Sequence, residues 1–236
     1  MSDTLKSIGF AVLTAVICSL LLTAAASGLK KYKLRNVAID KQKNILRAVG
    51  LLDDQKSYDA DAITKLYNEN IECLWVAENG EIVAAEQRSP RDLPLCVYMQ
   101  GEQLRAYVIP INTRGLWGKI HGYLALKNDG ATIAGFTVYQ HNETPGLGGE
   151  IETAWFQKNF QGKKIVSQAG DFISIKIAKG PVTQAIPKAQ QVNYVDGISG
   201  ATLTGKFLTT GFQTILSSYE PVSIRFRKNQ VSLPEK

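Results

Sequence analysis

The sequence predicts an α+β fold: one membrane-length apolar helix, then a single domain with a twisted, mostly antiparallel sheet and helices packed against it. Three observations predict it. Residues 8–29, IGFAVLTAVICSLLLTAAASGL, carry no charge. The middle of the chain is a series of short apolar runs separated by turn residues. An apolar pattern of helical period follows residue 202.

As a helix, residues 8–29 reach about 33 Å, enough to cross a bilayer. A cleaved signal peptide is the rival reading. Its apolar part would be shorter, about 7–15 residues, although TAAASG has the small residues of a cleavage site. Length and the Lys30-Lys31 flank favour a retained anchor. Residues 1–35 are therefore read as transmembrane anchor and flank, and residues 36–236 as a soluble domain carried on a helical stalk. Charge leaves the orientation open. Lys30, Lys31, Lys33 and Arg35 outnumber Lys6 and the amino terminus, which alone would place the domain in the cytoplasm. Large downstream domains, however, translocate regardless of charge.

Leu34, Val37, Ile39, Ile45, Leu46 and Val49 continue a helical pattern to Gly50, which can end it. Residues 59–71, DADAITKLYNENI, form a second short helix capped by Asp59 or Asp61. QLRAYVIPI (103–111) reads as a strand, and GYLALKNDGATIAGFTVYQ (122–140) as a hairpin turning at Asn128-Asp129-Gly130. GEIETAWFQKNFQGK (149–163) is predicted to be a helix with Trp155, Phe156 and Phe160 on its core side and Gly162 as its stop. DFISIKIA (171–178) alternates like a strand. Phe207, Leu208, Phe212, Ile215 and Leu216 mark the closing helix, weakened by Gly205 and Gly211 at about 1 kcal/mol each.

The composition is that of a folded protein, 44% hydrophobic and 20% charged. The net charge of +6 is concentrated beside the apolar run, where it suits lipid headgroups, and no broad basic face marks a nucleic-acid partner. Cys18 lies inside the apolar run. Cys73 and Cys96 read as small buried hydrophobes, with a disulfide between them as the alternative in an oxidising compartment. No metal-ligand spacing is present, nor HExxH, GxSxG, Walker or GxGxxG motifs.

Two stretches stand apart. HNETPGLGGE (141–150) puts three tightly spaced glycines and a proline between a strand and a helix, with Leu147 free to cover a flat ligand. DGISGATLTGKF (196–207) places Ser199, Thr202 and Thr204 among small residues at a helix start. Free N–H groups and the helix dipole there favour an anion such as phosphate. Thr202 lacks an adjacent base, so a modification at its hydroxyl calls for another enzyme.

Together these stretches resemble the covalent-FMN-binding domain family, in which D-x-x-[S/T]-G-A-T carries FMN as a phosphoester on its last threonine. Asp196-Gly197-Ile198-Ser199-Gly200-Ala201-Thr202 is a full match. The anchor, RGLWGKIHGYLAL (114–126), HNETPGLGGEIE (141–152) and DGISGATLT (196–204) follow the family's order. Gly115-Leu116-Trp117 points to the branch found in the Na⁺-translocating NADH:quinone oxidoreductase. The alternative is the homologous FMN-carrying subunit of the Rnf ion-translocating complex, which usually lacks that stretch.

The resemblance implies FMN attached through phosphate to Thr202, with Ser199, Gly200 and Ala201 around the phosphate. Glu143, Thr144, Leu147 and Trp117 would lie against the isoalloxazine, Lys179 near it, and Asp196 would serve recognition by a periplasmic, FAD-dependent flavin transferase. It also implies an electron-relaying, single-pass subunit of the bacterial inner membrane, its domain in the periplasm and other subunits of the oxidoreductase as partners. The isolated chain would not oxidise NADH. A cofactor-free, membrane-anchored binding domain is the rival of a different class.

Overall fold

The computed structural model describes residues 3–53 and 56–234; residues 1 and 2 of the expected anchor, and residues 54, 55, 235 and 236 of the expected domain, lie outside them. The chain divides into two compact units, 1–40 and 41–236. Helix α1, Asp3–Ala48, supplies the first unit, and its last turns open the second. The residues expected to form anchor and stalk are thus one continuous helix, long and apolar enough to cross a membrane. Gly50 follows its end at φ 78°, the left-handed conformation common just past a helix.

Six antiparallel strands form the sheet of the second unit: β1 (Ile71–Val76), β2 (Ile82–Val83), β3 (Leu93–Gln100), β4 (Gln103–Arg114), β5 (Lys119–Lys127) and β6 (Ile133–Gln140). Their order is β2-β1-β3-β4-β5-β6. The expected hairpin is β5–β6. Asp129 fixes its turn by accepting from the N–H groups of Ala131 (3.0 Å) and Thr132 (2.8 Å) and from the Thr132 hydroxyl (2.6 Å).

The register sorts the two faces of the sheet. Ile109, Leu124 and Phe136 are cross-strand neighbours and so share a face. Phe136 there meets Phe160 and Phe212, ring centroids 4.5 and 5.3 Å away, in the main apolar core. The adjacent row, Gly135–Ala125–Val108–Cys96–Cys73, is small and faces the other way. This face receives the end of α1: a Cβ on Gly135 would lie 2.5 Å from the Ala48 carbonyl oxygen, and the Thr137 hydroxyl donates to the Asn44 carbonyl. Helix α2 (Ala60–Asn70) packs there too, its Tyr67 hydroxyl 3.1 Å from Cys73 Sγ. Its cap is Asp59, which accepts from the Ala62 N–H at 2.7 Å. Cys73 and Cys96 are joined as a disulfide rather than packed as separate buried thiols, because register sets them directly opposite each other on β1 and β3.

Two predicted elements are corrected. Residues 149–163 are not one helix. A 3₁₀ turn (Gly148–Glu152) is followed by α3, only Ala154–Lys158. Phe156 and Phe160, four residues apart, are buried, whereas Trp155 is exposed, since its neighbour Phe156 already takes the inward direction. Residues 171–178 are not a strand either. Phe172 makes an isolated antiparallel bridge to Val166, and only Lys176–Ile177 forms a strand, β7, pairing in parallel with β8, Tyr194–Val195. Ser174 breaks the run at φ 65°. Its hydroxyl is buried and finds no hydrogen-bond partner among the described residues. Ser174→Gly should therefore raise stability by about 1 kcal/mol by removing backbone strain and an unsatisfied hydroxyl. Urea unfolding of the full chain in detergent checks this; a fall in the midpoint would mean that the serine side chain is a net contributor.

Between β7 and β8 lies α4, Val182–Ala185. The closing helix, α5, runs Thr202–Arg227 straight through Pro221. Gly211 has a packing reason: a Cβ there would run into the Thr113 side chain, so glycine lets α5 approach β4 closely. Tyr107 of β4 fastens the far half of α5 through Ser223 (2.8 Å) and a stacked Phe226 ring.

Candidate functional site

Three segments converge at the start of α5. The β4–β5 loop supplies Leu116 and Trp117, the loop after β6 supplies Glu143, Thr144, Leu147 and Gly148, and the helix start supplies Gly200, Ala201, Thr202, Leu203 and Thr204. They line an open hollow of about 310 Å³.

Local chemistry builds each wall. In Thr144-Pro145-Gly146-Leu147 the Leu147 N–H donates to the Thr144 carbonyl (3.1 Å) with Gly146 at φ 72°. Proline then glycine is the pairing a type II turn requires. A second turn of this kind is Ile198-Ser199-Gly200-Ala201, with Ala201 N–H on the Ile198 carbonyl (3.1 Å) and Gly200 at φ 74°. The two turns touch: a Cβ on Gly200 would lie 2.7 Å from Leu147 Cδ2. The first intrahelical bond into this end of α5 runs from Gly205 N–H to the Ala201 carbonyl, and Ala201, the N-cap residue, gives no side-chain cap. The N–H groups of Thr202, Leu203 and Thr204 precede that bond at the positive end of the helix dipole.

The rim is apolar and exposed. Leu116, Trp117 (67% exposed), Leu147 (44%) and Leu203 all lie open to solvent around the hollow. The floor is polar. Glu143 is only 5% exposed, and each carboxylate oxygen has a donor: Oε1 accepts from the Trp117 N–H at 3.0 Å, Oε2 from the Thr204 hydroxyl at 2.5 Å. His141 supports Glu143 from behind. Its Nδ1 accepts the Glu143 N–H (3.1 Å), which leaves Nε2 to donate to Glu152 (3.1 Å). The other histidine, His121, belongs to β5; burial, with Lys119 and Lys41, lowers its pKa below the usual imidazole range.

Of the residues singled out by sequence, Gly200, Ala201, Thr202, Glu143, Thr144, Leu147 and Trp117 line the hollow together. Ser199, Lys179 and Asp196 are not among its lining residues. Ser199 is exposed on the second turn and Lys179 is exposed. Asp196 is turned toward α4, where Oδ1 accepts the Val182 N–H at 2.7 Å. The three hydroxyls of the motif therefore separate: Ser199 and Thr202 are exposed, and Thr204 is 2% exposed and tied to Glu143. Leu116, Gly148, Leu203 and Thr204 are the lining residues that sequence reading did not assign to the site. The signal for Leu203 and Thr204 was a helix start that carried more hydroxyl and apolar groups than a cap uses.

The arrangement offers N–H groups for an anion at one end and apolar side chains for a flat body at the other. Comparison with known proteins agrees with that chemistry. Residues 115–217 match the family model described as FMN-binding domain, a span that contains every lining residue. NqrC of Vibrio campbellii, a component of its Na(+)-translocating NADH-quinone reductase, is 31% identical over 234 residues, covering 85% of each chain. The chain belongs to the NqrC family. The Haemophilus ducreyi member is 32% identical over 227 residues, covering 86% of this chain and 85% of that protein. The crystal structure of the Parabacteroides distasonis member superposes with a TM-score of 0.69 at 32% identity, covering 83% of this chain and 96% of that one. The likeness to that member thus extends to the fold, not only to the short motifs.

Proposed function

We propose that this chain is the FMN-carrying electron-relay subunit of a Na⁺-translocating NADH:quinone oxidoreductase, passing electrons from NADH towards quinone while the complex exports Na⁺. The observation that carries the reading is the hollow itself, in which the start of α5 at Thr202 meets the Leu116-Trp117 and Glu143–Gly148 loops.

FMN supplies the redox chemistry when bound. The chain's own residues hold and orient it. The Thr202 hydroxyl takes the FMN phosphate as an ester, and the exposed N–H groups of the helix start stabilise the anion. Gly200 and Ala201 would leave room beside the phosphate, and Leu147 and Trp117 would pack against the ring. Thr144 and the buried Glu143 line the same pocket. Ser199 and Lys179, both exposed, would act on the flavin from outside the lining of the hollow, and Asp196 would serve the modifying enzyme.

The ester is installed by a flavin transferase acting on a flavin dinucleotide. Thr202 Oγ forms a bond to the FMN phosphorus, the pyrophosphate P–O bond breaks, AMP leaves, and the hydroxyl proton passes to the transferase. Residues 1–35 are the anchor and flank and residues 36–236 the soluble domain, held on the periplasmic side of the inner membrane by a single pass. The Cys73–Cys96 disulfide supports that side, because such bonds persist in oxidising compartments.

Affinity purification of the tagged full chain from membranes tests the reading. The expected result is co-purification of the other oxidoreductase subunits, with flavin fluorescence that stays on this chain after denaturing electrophoresis. Rnf subunits in their place, or a flavin-free chain in cells holding active transferase, would overturn it.

A further inference from the structure

Resting on the reading that Thr202 is the FMN acceptor, we propose that Thr204 is a positioning residue: its hydroxyl, tied to Glu143, locks the start of α5 to the two loops that form the flavin pocket. Thr204 lies two residues beyond Thr202 on the first turn of α5, so its side chain points in a different direction. It donates to Glu143 Oε2 at 2.5 Å while Oε1 accepts the Trp117 N–H at 3.0 Å. One buried carboxylate thereby joins three segments that are far apart in sequence. A carboxylate this buried needs both donors, so neither bond is dispensable to the arrangement.

The surrounding glycines make room for this tie. A Cβ on Gly148 would lie 2.5 Å from Thr204 Oγ1 and 2.9 Å from Glu143 Oε2. A Cβ on Gly115 would lie 2.5 Å from Glu143 Oε1. Both glycines are buried and neither has a positive φ, so close approach, rather than turn geometry, explains them. His141 holds the Glu143 backbone from the opposite side. The outcome is division of labour between two threonines of one motif: the buried hydroxyl sets the helix start, and the exposed one is left free to react.

The test uses the flavin-free full chain in detergent, labelled in vitro by purified transferase with FAD and Mg²⁺. Thr204→Val removes the hydroxyl at nearly constant shape. It should slow labelling of Thr202 at least tenfold and speed amide hydrogen exchange at Trp117. Thr204→Ser should restore both to within about twofold of wild type. Glu143→Gln keeps an acceptor for Trp117 and offers its amide N–H to Thr204 Oγ1, so it should label far faster than Glu143→Ala. Labelling of Thr204→Val at the wild-type rate would overturn the proposal, as would Glu143→Gln as slow as Glu143→Ala, which would make charge the operative property. Should the valine variant fail to fold, the Glu143 pair and Thr204→Ser decide. Labelling of Thr202→Ala would instead overturn the acceptor assignment and leave the Glu143–Thr204 tie, read by Trp117 exchange, standing.

Discussion

Thr202→Ala is expected to abolish covalent flavin while leaving the fold intact. When the variant is coexpressed with the transferase and separated under denaturing conditions, its band should be dark where the wild-type band fluoresces. The two halves of the expectation have separate causes. Thr202 is exposed, and the N-cap position before it is occupied by Ala201, which gives no side-chain cap. Alanine is also the better helix former, by a few tenths of a kcal/mol. Stability in urea should therefore stay within about 0.5 kcal/mol of wild type. The hydroxyl, by contrast, is the only atom of the side chain that can form an ester bond, so loss of label should be complete rather than partial. Thr202→Ser retains an oxygen at the same place and should label. A fluorescent alanine variant would place the bond elsewhere, with Ser199, also exposed, the first candidate.

Much of this site was legible in sequence because its parts are local. A Pro-Gly turn, a Ser-Gly turn and a helix start each need particular residues in a row, and those rows survive as readable strings. The Glu143–Thr204 bond was not legible, because it joins residues 61 apart and depends on where α5 crosses the sheet. Asp196 shows the same limit: its bond to the Val182 N–H gives it a structural task that the motif does not announce. The β5–β6 hairpin was legible from two apolar runs joined by an Asn-Asp-Gly turn. Alternation failed for residues 171–178, where Ser174 turns the backbone left-handed and the two-residue β8 gives β7 little to pair with. In residues 149–163 the apolar spacing marked Phe156 and Phe160 correctly as core. It did not reveal that a 3₁₀ turn takes up residues 148–152 ahead of the short α3.

Phe212→Ala should cost about 3–5 kcal/mol, the usual range for emptying a fully buried phenylalanine site. Its ring is 0% exposed and meets Phe136 of β6 at 5.3 Å and Phe160, just after α3, at 5.6 Å. Leu208 and Leu216, one turn to either side on α5, are buried as well. The cavity would thus open where α5, the sheet and the α3 segment meet, and helices fixed at their other contacts cannot collapse into it. Urea unfolding of the full chain in detergent should show the midpoint fall with little change in slope. Labelling makes the sharper demand. Thr202 is ten residues away, about 15 Å along the helix axis. It is held by the Thr204–Glu143 bond at its own end. At a temperature where the variant remains folded, Thr202 should therefore still be esterified at close to the wild-type rate. A loss below about 1 kcal/mol would show that the aromatic cluster is not what holds α5 to the sheet. A folded variant that labels slowly would show that the pocket is positioned by the core beneath the helix and not by the bonds at its start.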